Sequence, residues 1–191
     1  MVIGIIIPNN AKLLIDFVRS LLTISDKTII WNEGACIAEN RNLVFERARI
    51  LQDNLLFIDS DIVFTREQVN KIEKHLEKYD IVTGYTGLGF PGFPPSIFVK
   101  NEKGQYKLAS FPDKEELFEI DACGAPFLGI SKKVLNTLVT PFHLILDKNT
   151  GRYHGEDISF CINAKKNGFK IICDPSLSVG HIRTVTRYCE V

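Results

Sequence analysis

The chain has no surplus of either charge: 23 Lys and Arg stand against 23 Asp and Glu in 191 residues. A general nucleic-acid binder needs a basic excess to displace counterions, so no nucleic-acid partner is expected. Long apolar runs are missing too. The longest nearly apolar stretch, Ala122–Ile130, is about half of the ~20 residues that cross a bilayer, so no transmembrane segment is expected. The N-terminal run Val2–Ile7 ends at Pro8 with no basic segment before it, which reads as a strand rather than a signal peptide. Cys-x-x-Cys spacing is absent. The five cysteines, Cys36, Cys123, Cys161, Cys173 and Cys189, are odd in number and scattered. That pattern favours free or buried thiols in a cytoplasmic protein over a zinc site or a disulfide framework, with a bridge left open for a hyperthermophile's chain. Two phosphate-binding loops are also lacking. No Gly-x-Gly-x-x-Gly follows the first strand and no Gly-x-x-x-x-Gly-Lys occurs. A dinucleotide-linked oxidoreductase and a P-loop enzyme lose support, and any bound nucleotide must have its phosphates neutralised in another way.

What is present is globular composition, 45% hydrophobic and 24% charged, at a length that suits one domain. Ile3, Ile5 and Ile7 read as a buried strand closed by Pro8, and Asn9 or Asn10 as caps of a helix carrying Leu14, Phe17, Val18, Leu21 and Leu22. Lys27–Trp31 is the next strand, Glu33-Gly34 a break, and Ile37–Leu51 a helix. Leu55–Ile58 is a third strand ending in Asp59-Ser60-Asp61. Thr65 and Gln68 form a capping box for a helix reaching Tyr79, followed by the strand Ile81–Thr83. This alternation predicts a mostly parallel, Rossmann-like sheet with helices on both faces, with ligands beyond the carboxyl ends of its strands. The second part differs. Gly84–Pro95 reads as a loop, Ser96–Lys100 and Gln105–Ala109 as a hairpin, and Glu119–Ala122 as a strand. Ser131 caps a short helix to Leu138, Glu156–Asn167 is a helix stopped by Gly168, and Lys170–Cys173 and Ser178–His181 are short strands. The composition shift near residue 84 divides one domain, 1–191, into halves 1–83 and 84–191.

Three constellations carry chemistry. Asp59-Ser60-Asp61 places two carboxylates at i and i+2 after an apolar strand, where both can face one ligand, and hard oxygen donors suit Mn²⁺ or Mg²⁺. The competing reading is a plain turn. Glu156-Asp157 opens a helix, either as a carboxylate base at the sheet rim or simply as acids that suit the helix dipole. His181, with Arg183 and Arg187 behind it, could ligate a metal and clamp phosphate oxygens, or belong to a solvated tail.

Together these pieces resemble the GT-A fold nucleotide-sugar glycosyltransferases, family 2-like. Leu55-Leu56-Phe57-Ile58-Asp59-Ser60-Asp61-Ile62 is similar to their Asp-x-Asp strand and Arg41-Asn42 to an Arg-Asn pair on their second helix. Asp121-Ala122-Cys123-Gly124-Ala125-Pro126-Phe127-Leu128-Gly129-Ile130 is similar to their glycine-containing acceptor-side strand. Gly155-Glu156-Asp157, then Gly168-Phe169-Lys170-Ile171 and Pro175, follow in their order. The short acceptor half resembles minimal catalytic domains of the kind viruses encode, which would place the protein in a host cytoplasm.

The resemblance implies a metal-dependent hexosyltransferase that moves a sugar from a nucleoside-diphosphate sugar to a hydroxyl of a glycan, protein or lipid acceptor, with inversion. It implies Asp61 on a Mn²⁺ or Mg²⁺ ion, with Asp59 and His181 as further contacts. Pro8, Asn9, Glu33, Arg41, Asp59, Ser60, Arg183 and Arg187 would meet the donor. Asp157 would be the base, with Glu156, Gly124 and His154 on the acceptor side. Pro8-Asn9-Asn10 lacks the Ser/Thr-rich loop many members carry there, so base specificity is not implied. Two other readings compete. A haloacid-dehalogenase-type phosphatase would use Asp59 as nucleophile and Asp61 as acid/base, although its motif belongs on a first strand. A catalytically idle sugar-nucleotide or glycan-binding module would share the fold. The sugar, nucleotide, acceptor and oligomeric state are not legible.

Overall fold

Five consecutive residues at the start of Val2–Pro8 are buried, as a strand covered on both faces requires. The computed structural model describes residues 1–9, 13–87, 94–109, 116–148 and 150–182. The first part of the chain runs β1 (Val2–Pro8), α1 (Ile15–Leu22), β2 (Thr28–Gly34), α2 (Ile37–Leu51), β3 (Leu55–Asp59), β4 (Ile62–Val63), α3 (Arg66–His75) and β5 (Ile81–Thr86). The second runs β6 (Ile97–Lys100), β7 (Tyr106–Leu108), β8 (Phe118–Ile120), β9 (Ala122–Cys123), β10 (Phe127–Ile130), α4 (Lys132–Thr137), β11 (Ile145–Asp147), β12 (Arg152–His154), α5 (Glu156–Lys166) and β13 (Ile171–His181).

The central sheet has eight strands in the order β2-β1-β3-β10-β5-β13-β4, with β8 beside β13. β1, β2, β3, β5 and β13 run one way, so the expected mostly parallel α/β sheet is present. β10 lies antiparallel between β3 and β5. Two apolar clusters fill the two faces. One gathers Val44, Phe45 and Ala48 of α2 with Phe160, Cys161 and Ala164 of α5. The other gathers Phe17 of α1 with Val69 and Ile72 of α3. Two smaller sheets, β7-β6-β9 and β11-β12, stand beside the central one. Among the described residues no helix is long and apolar enough to cross a membrane, and Cys36, Cys123, Cys161 and Cys173 are free thiols.

Several local expectations change. Asn9 does not cap α1. The helix starts after Leu14, with no side-chain cap, and Asn10 lies outside the described residues. The Thr65–Gln68 capping box is present, but α3 ends at His75 rather than Tyr79. Glu33 is part of β2, not a break after it. Gly84 belongs to β5 rather than to the following loop. Glu119–Ala122 is not one strand: the chain leaves the central sheet at Asp121, where Lys165 of α5 binds the carboxylate at 2.8 Å. Residues 171–181 form one strand with a register shift between Asp174 and Ser178. Pro175 has no N–H to give a ladder and sits in that irregularity. β4, β11 and β12, of two or three residues, had not been expected at all. Residues 88–93 of the expected Gly84–Pro95 loop lie outside the described residues, and Phe98 packs against the core.

Candidate active site

The site forms where β1, β2 and β3 end and α5 begins. A buried guanidinium organises it. Arg41 sits on the inner face of α2, its side chain 5% exposed. Its Nη2 donates to both oxygens of Asp59 at 3.1 Å, its Nε to Glu156 Oε1 at 3.3 Å, and its Nη1 to the carbonyl of Ala125 at 3.3 Å. Its plane also lies over the Phe57 ring, 5.4 Å from the centroid. A planar fork with five donors is the side chain that can serve three partners at once. The ion pairs span 18 and 115 residues of sequence, so Arg41 ties the Asp-x-Asp strand to the helix of Glu156. Burial pushes the Asp59 carboxyl up; Arg41 pulls it down, less strongly, and Asp61 and Glu156 add to the push. Arg41, raised by Asp59 and Glu156 against its own burial, stays charged.

Asp61 follows in the turn after β3. Its Oδ2 lies 3.0 Å from His181 Nε2, brought there by the end of β13 pairing with β4. His181 Nδ1 is 2.8 Å from the carbonyl of Gly87. A carbonyl only accepts, so Nδ1 carries the proton. Nε2 faces a carboxylate oxygen of Asp61 at hydrogen-bond distance. A second ring proton can fill that gap, or, on an unprotonated nitrogen, a metal ion can. Two ligands held about 2.1 Å from a hard divalent ion at a right angle are themselves about 3.0 Å apart. The donor set therefore fits such an ion, and the Gly87 bond supplies the orientation that ligating histidines usually receive. Among the described residues no three His, Cys, Asp or Glu side chains gather as a metal site. Asp59, expected as a ligand or water contact, accepts from Arg41 at both oxygens, each of which keeps a further lone pair.

Glu156 and Asp157 form the first turn of α5, with Gly155 as an N-cap that has no side chain to offer. Asp157 Oδ1 accepts from the Ile158 N–H at 2.7 Å. Burial raises the Asp157 carboxyl and neighbouring Glu156 raises it further, while that N–H and Arg41 act in the opposite sense. The helix is buried over Ile158, Ser159, Phe160, Cys161 and Ala164. This is wider than the apolar stripe in the sequence, because the stacked Phe142 and Phe160 rings, 4.7 Å apart, cover a second side.

The remaining expected residues divide. Pro8 and Glu33 lie at the ends of neighbouring β1 and β2, with Asn9 just beyond and Ser60 beside the two aspartates. Gly124 is buried after β9, its N–H on the Ser96 carbonyl at 2.9 Å. His154 packs edge-on to Tyr106, 5.4 Å between centroids. Arg183 and Arg187 lie outside the described residues, as does the tail expected to close over a diphosphate. Sequence reading missed Asn40. It is 3% exposed, accepts from Asn32 Nδ2 at 2.8 Å and donates to the Gly34 carbonyl at 3.0 Å, pinning the end of β2 to α2. A Cβ on Gly34 would stand 2.5 Å from the Asn40 side-chain oxygen. A buried asparagine beside Arg41 was the available signal.

No family profile matches the sequence, and neither does any curated protein. Solved structures do. The crystal structure of A197 from STIV superposes with a TM-score of 0.67 at 20% identity, covering 96% of this chain and 87% of that one. The crystal structure of GalNAc-T7 with UDP, GalNAc and Mn²⁺ superposes with a TM-score of 0.61 at 11% identity, over 95% of this chain but only 43% of its own length. Identities this low speak for architecture alone, and the architecture of this chain is a GT-A-like fold.

Proposed function

We propose that the protein is a metal-dependent glycosyltransferase that moves a sugar from a nucleoside-diphosphate sugar to an acceptor hydroxyl with inversion. The observation that carries this reading is the convergence on one sheet rim of the Asp61–His181 pair, 3.0 Å apart, and the Asp59–Arg41–Glu156 bridge. In a fold without a phosphate-binding loop, the charge of a departing diphosphate needs another counter-charge. Asp61 and His181 would hold Mn²⁺ or Mg²⁺, whose remaining positions phosphate oxygens and water can fill. When bound, the ion would neutralise and orient the leaving group.

The chain's own residues divide the rest. The donor would lie along Pro8, Asn9, Glu33 and Ser60 at the strand ends, with Arg183 and Arg187 as candidate phosphate contacts. Arg41 acts as a positioning residue. Its Nε and Nη2 go to Glu156 and Asp59 and one Nη1 proton to the Ala125 carbonyl, which leaves a second Nη1 proton as its one candidate contact to a phosphate. Glu156, held on one side by Arg41, would orient the acceptor hydroxyl beside Gly124 and His154. Asp157 would take the hydroxyl proton as the oxygen attacks, from the face opposite the departing diphosphate. A raised carboxyl is, once ionised, a better proton acceptor than an ordinary one. The phosphatase reading needs its motif on a first strand, whereas Asp59 closes β3, the third strand of the chain.

Calorimetric titration with a panel of nucleoside-diphosphate sugars, with and without Mn²⁺, tests the reading. Binding that requires the ion and is followed by release of the nucleoside diphosphate supports it. Binding without turnover on any acceptor class would leave the idle-module reading; no binding at all rejects both.

A further inference from the structure

We propose that the chain forms a two-fold symmetric dimer by antiparallel pairing of β2 with β2 of a second copy. This rests on no part of the functional reading. β2 is the terminal strand of the central sheet, seven residues long, with no proline, no lysine and no register shift along it. Natural edge strands are usually blunted by one of those devices or by shortness. In a strand paired in parallel on one side, alternate residues turn both their N–H and C=O outward. Arg47 Nη1 donates to the Trp31 carbonyl at 2.8 Å, which marks Trp31 as outward-facing, and with it Ile29 and Glu33. The same alternation turns the amides of these three outward as well.

Apolar surface flanks this edge on both faces of the sheet. Ile30 belongs with the α2-side cluster and Ile29 with the α1-side cluster. By alternation Trp31 lies on the α1 side, where it is 60% exposed. On the other face, Leu43, Arg47, Ile50 and Leu51 share one stripe of α2, and the Arg47 bond to Trp31 places that stripe beside the edge. Ile50 is 68% exposed. Edge pairing would cover both patches in one step: the tryptophans on one side of the joined sheet, the helix stripes on the other.

The occupant follows from strand length. A foreign edge on another copy would have to match seven residues, but β4 and β9 have two and β7, β8, β11 and β12 have three each. Among the described edge strands only β2 matches β2. Self-pairing is isologous and closes, so growth stops at two.

Trp31 is the sole tryptophan, so its emission reports the interface directly. Sedimentation equilibrium over about 1–200 μM should show the mass rising from 21.6 kDa to twice that value. Tryptophan emission should shift to the blue along the same concentration axis. Trp31→Lys and Ile50→Lys, both at exposed positions and checked for folding by far-UV circular dichroism, should each weaken association at least about tenfold. A single-chain mass at about 200 μM, a dimer that both substitutions leave unchanged, a dimer that forms with no change in emission, or species larger than a dimer would each overturn the proposal.

Discussion

Arg41 shows how a few atoms can set the geometry of a site drawn from both halves of the chain. Removing it leaves Asp59 and Glu156 facing each other without their shared counter-ion, and a broken buried pair typically costs about 3–5 kcal/mol. Arg41→Ala is therefore expected to lower the denaturation midpoint strongly in urea titrations, even without ligand. Asp61→Asn should do the opposite: little change in stability, with loss of Mn²⁺-linked donor binding in calorimetry. Asp157→Asn is expected to lower kcat by about 10² or more with donor affinity nearly unchanged, while Glu156→Gln should mainly raise the acceptor KM. Because the Asp157 carboxyl is raised by burial and by Glu156, the acid limb of the kcat profile should lie above the range of an exposed aspartate. Placing it at or below that range would remove Asp157 from the role. Asp59, Asp61, Glu156 and Asp157 were all legible as residues, because short motifs are local. The Arg41 bridge was not, because its partners lie 18 and 115 positions away.

At the scale of elements, β13 illustrates both success and failure of local reading. Its apolar ends read as two short strands, Lys170–Cys173 and Ser178–His181, where the structure has one with an irregularity between Asp174 and Ser178. That irregularity is fastened by Asp174, 3% exposed. Asp174 Oδ1 accepts from the Ser176 N–H at 2.9 Å and its Oδ2 lies 2.8 Å from His75 and 3.0 Å from Lys71 of α3. Burial raises the Asp174 carboxyl, but the bonds from Ser176, His75 and Lys71 outweigh it, so its folded value is below the ordinary one. A depressed folded value means that the contribution is complete above the ordinary carboxylate range and is lost as pH falls through that range towards the folded value. Asp174→Asn should thus cost about 1–3 kcal/mol near neutrality, and its Tm difference from wild type should shrink between about pH 5 and pH 3. A difference that stays constant over that interval would show that the charge does not matter. The three alternating strand–helix units were legible because periodicity and the Thr65 capping box act within a few residues. β4, β11 and β12 were not, since strands of two or three residues exist only through their partners.

The whole molecule is held by the placement of β10 between β3 and β5. Residues 84–191 supply a central strand, β10, to the sheet that residues 1–83 begin. Residues 1–83 alone should therefore lack a cooperative transition in circular dichroism melts, and the full chain should melt in one step. This arrangement also has a consequence during synthesis. β3 and β5 emerge early as open edges with buried-type sequences, and each must wait for Phe127–Ile130 before it has its neighbour. At translation rates of about 5–20 residues per second that wait lasts seconds, far longer than a hairpin needs to form. A nascent chain of this protein thus passes through a window in which two sticky edges are present and their rightful occupant is not yet made, and a synonymous-codon slowdown between them would lengthen it.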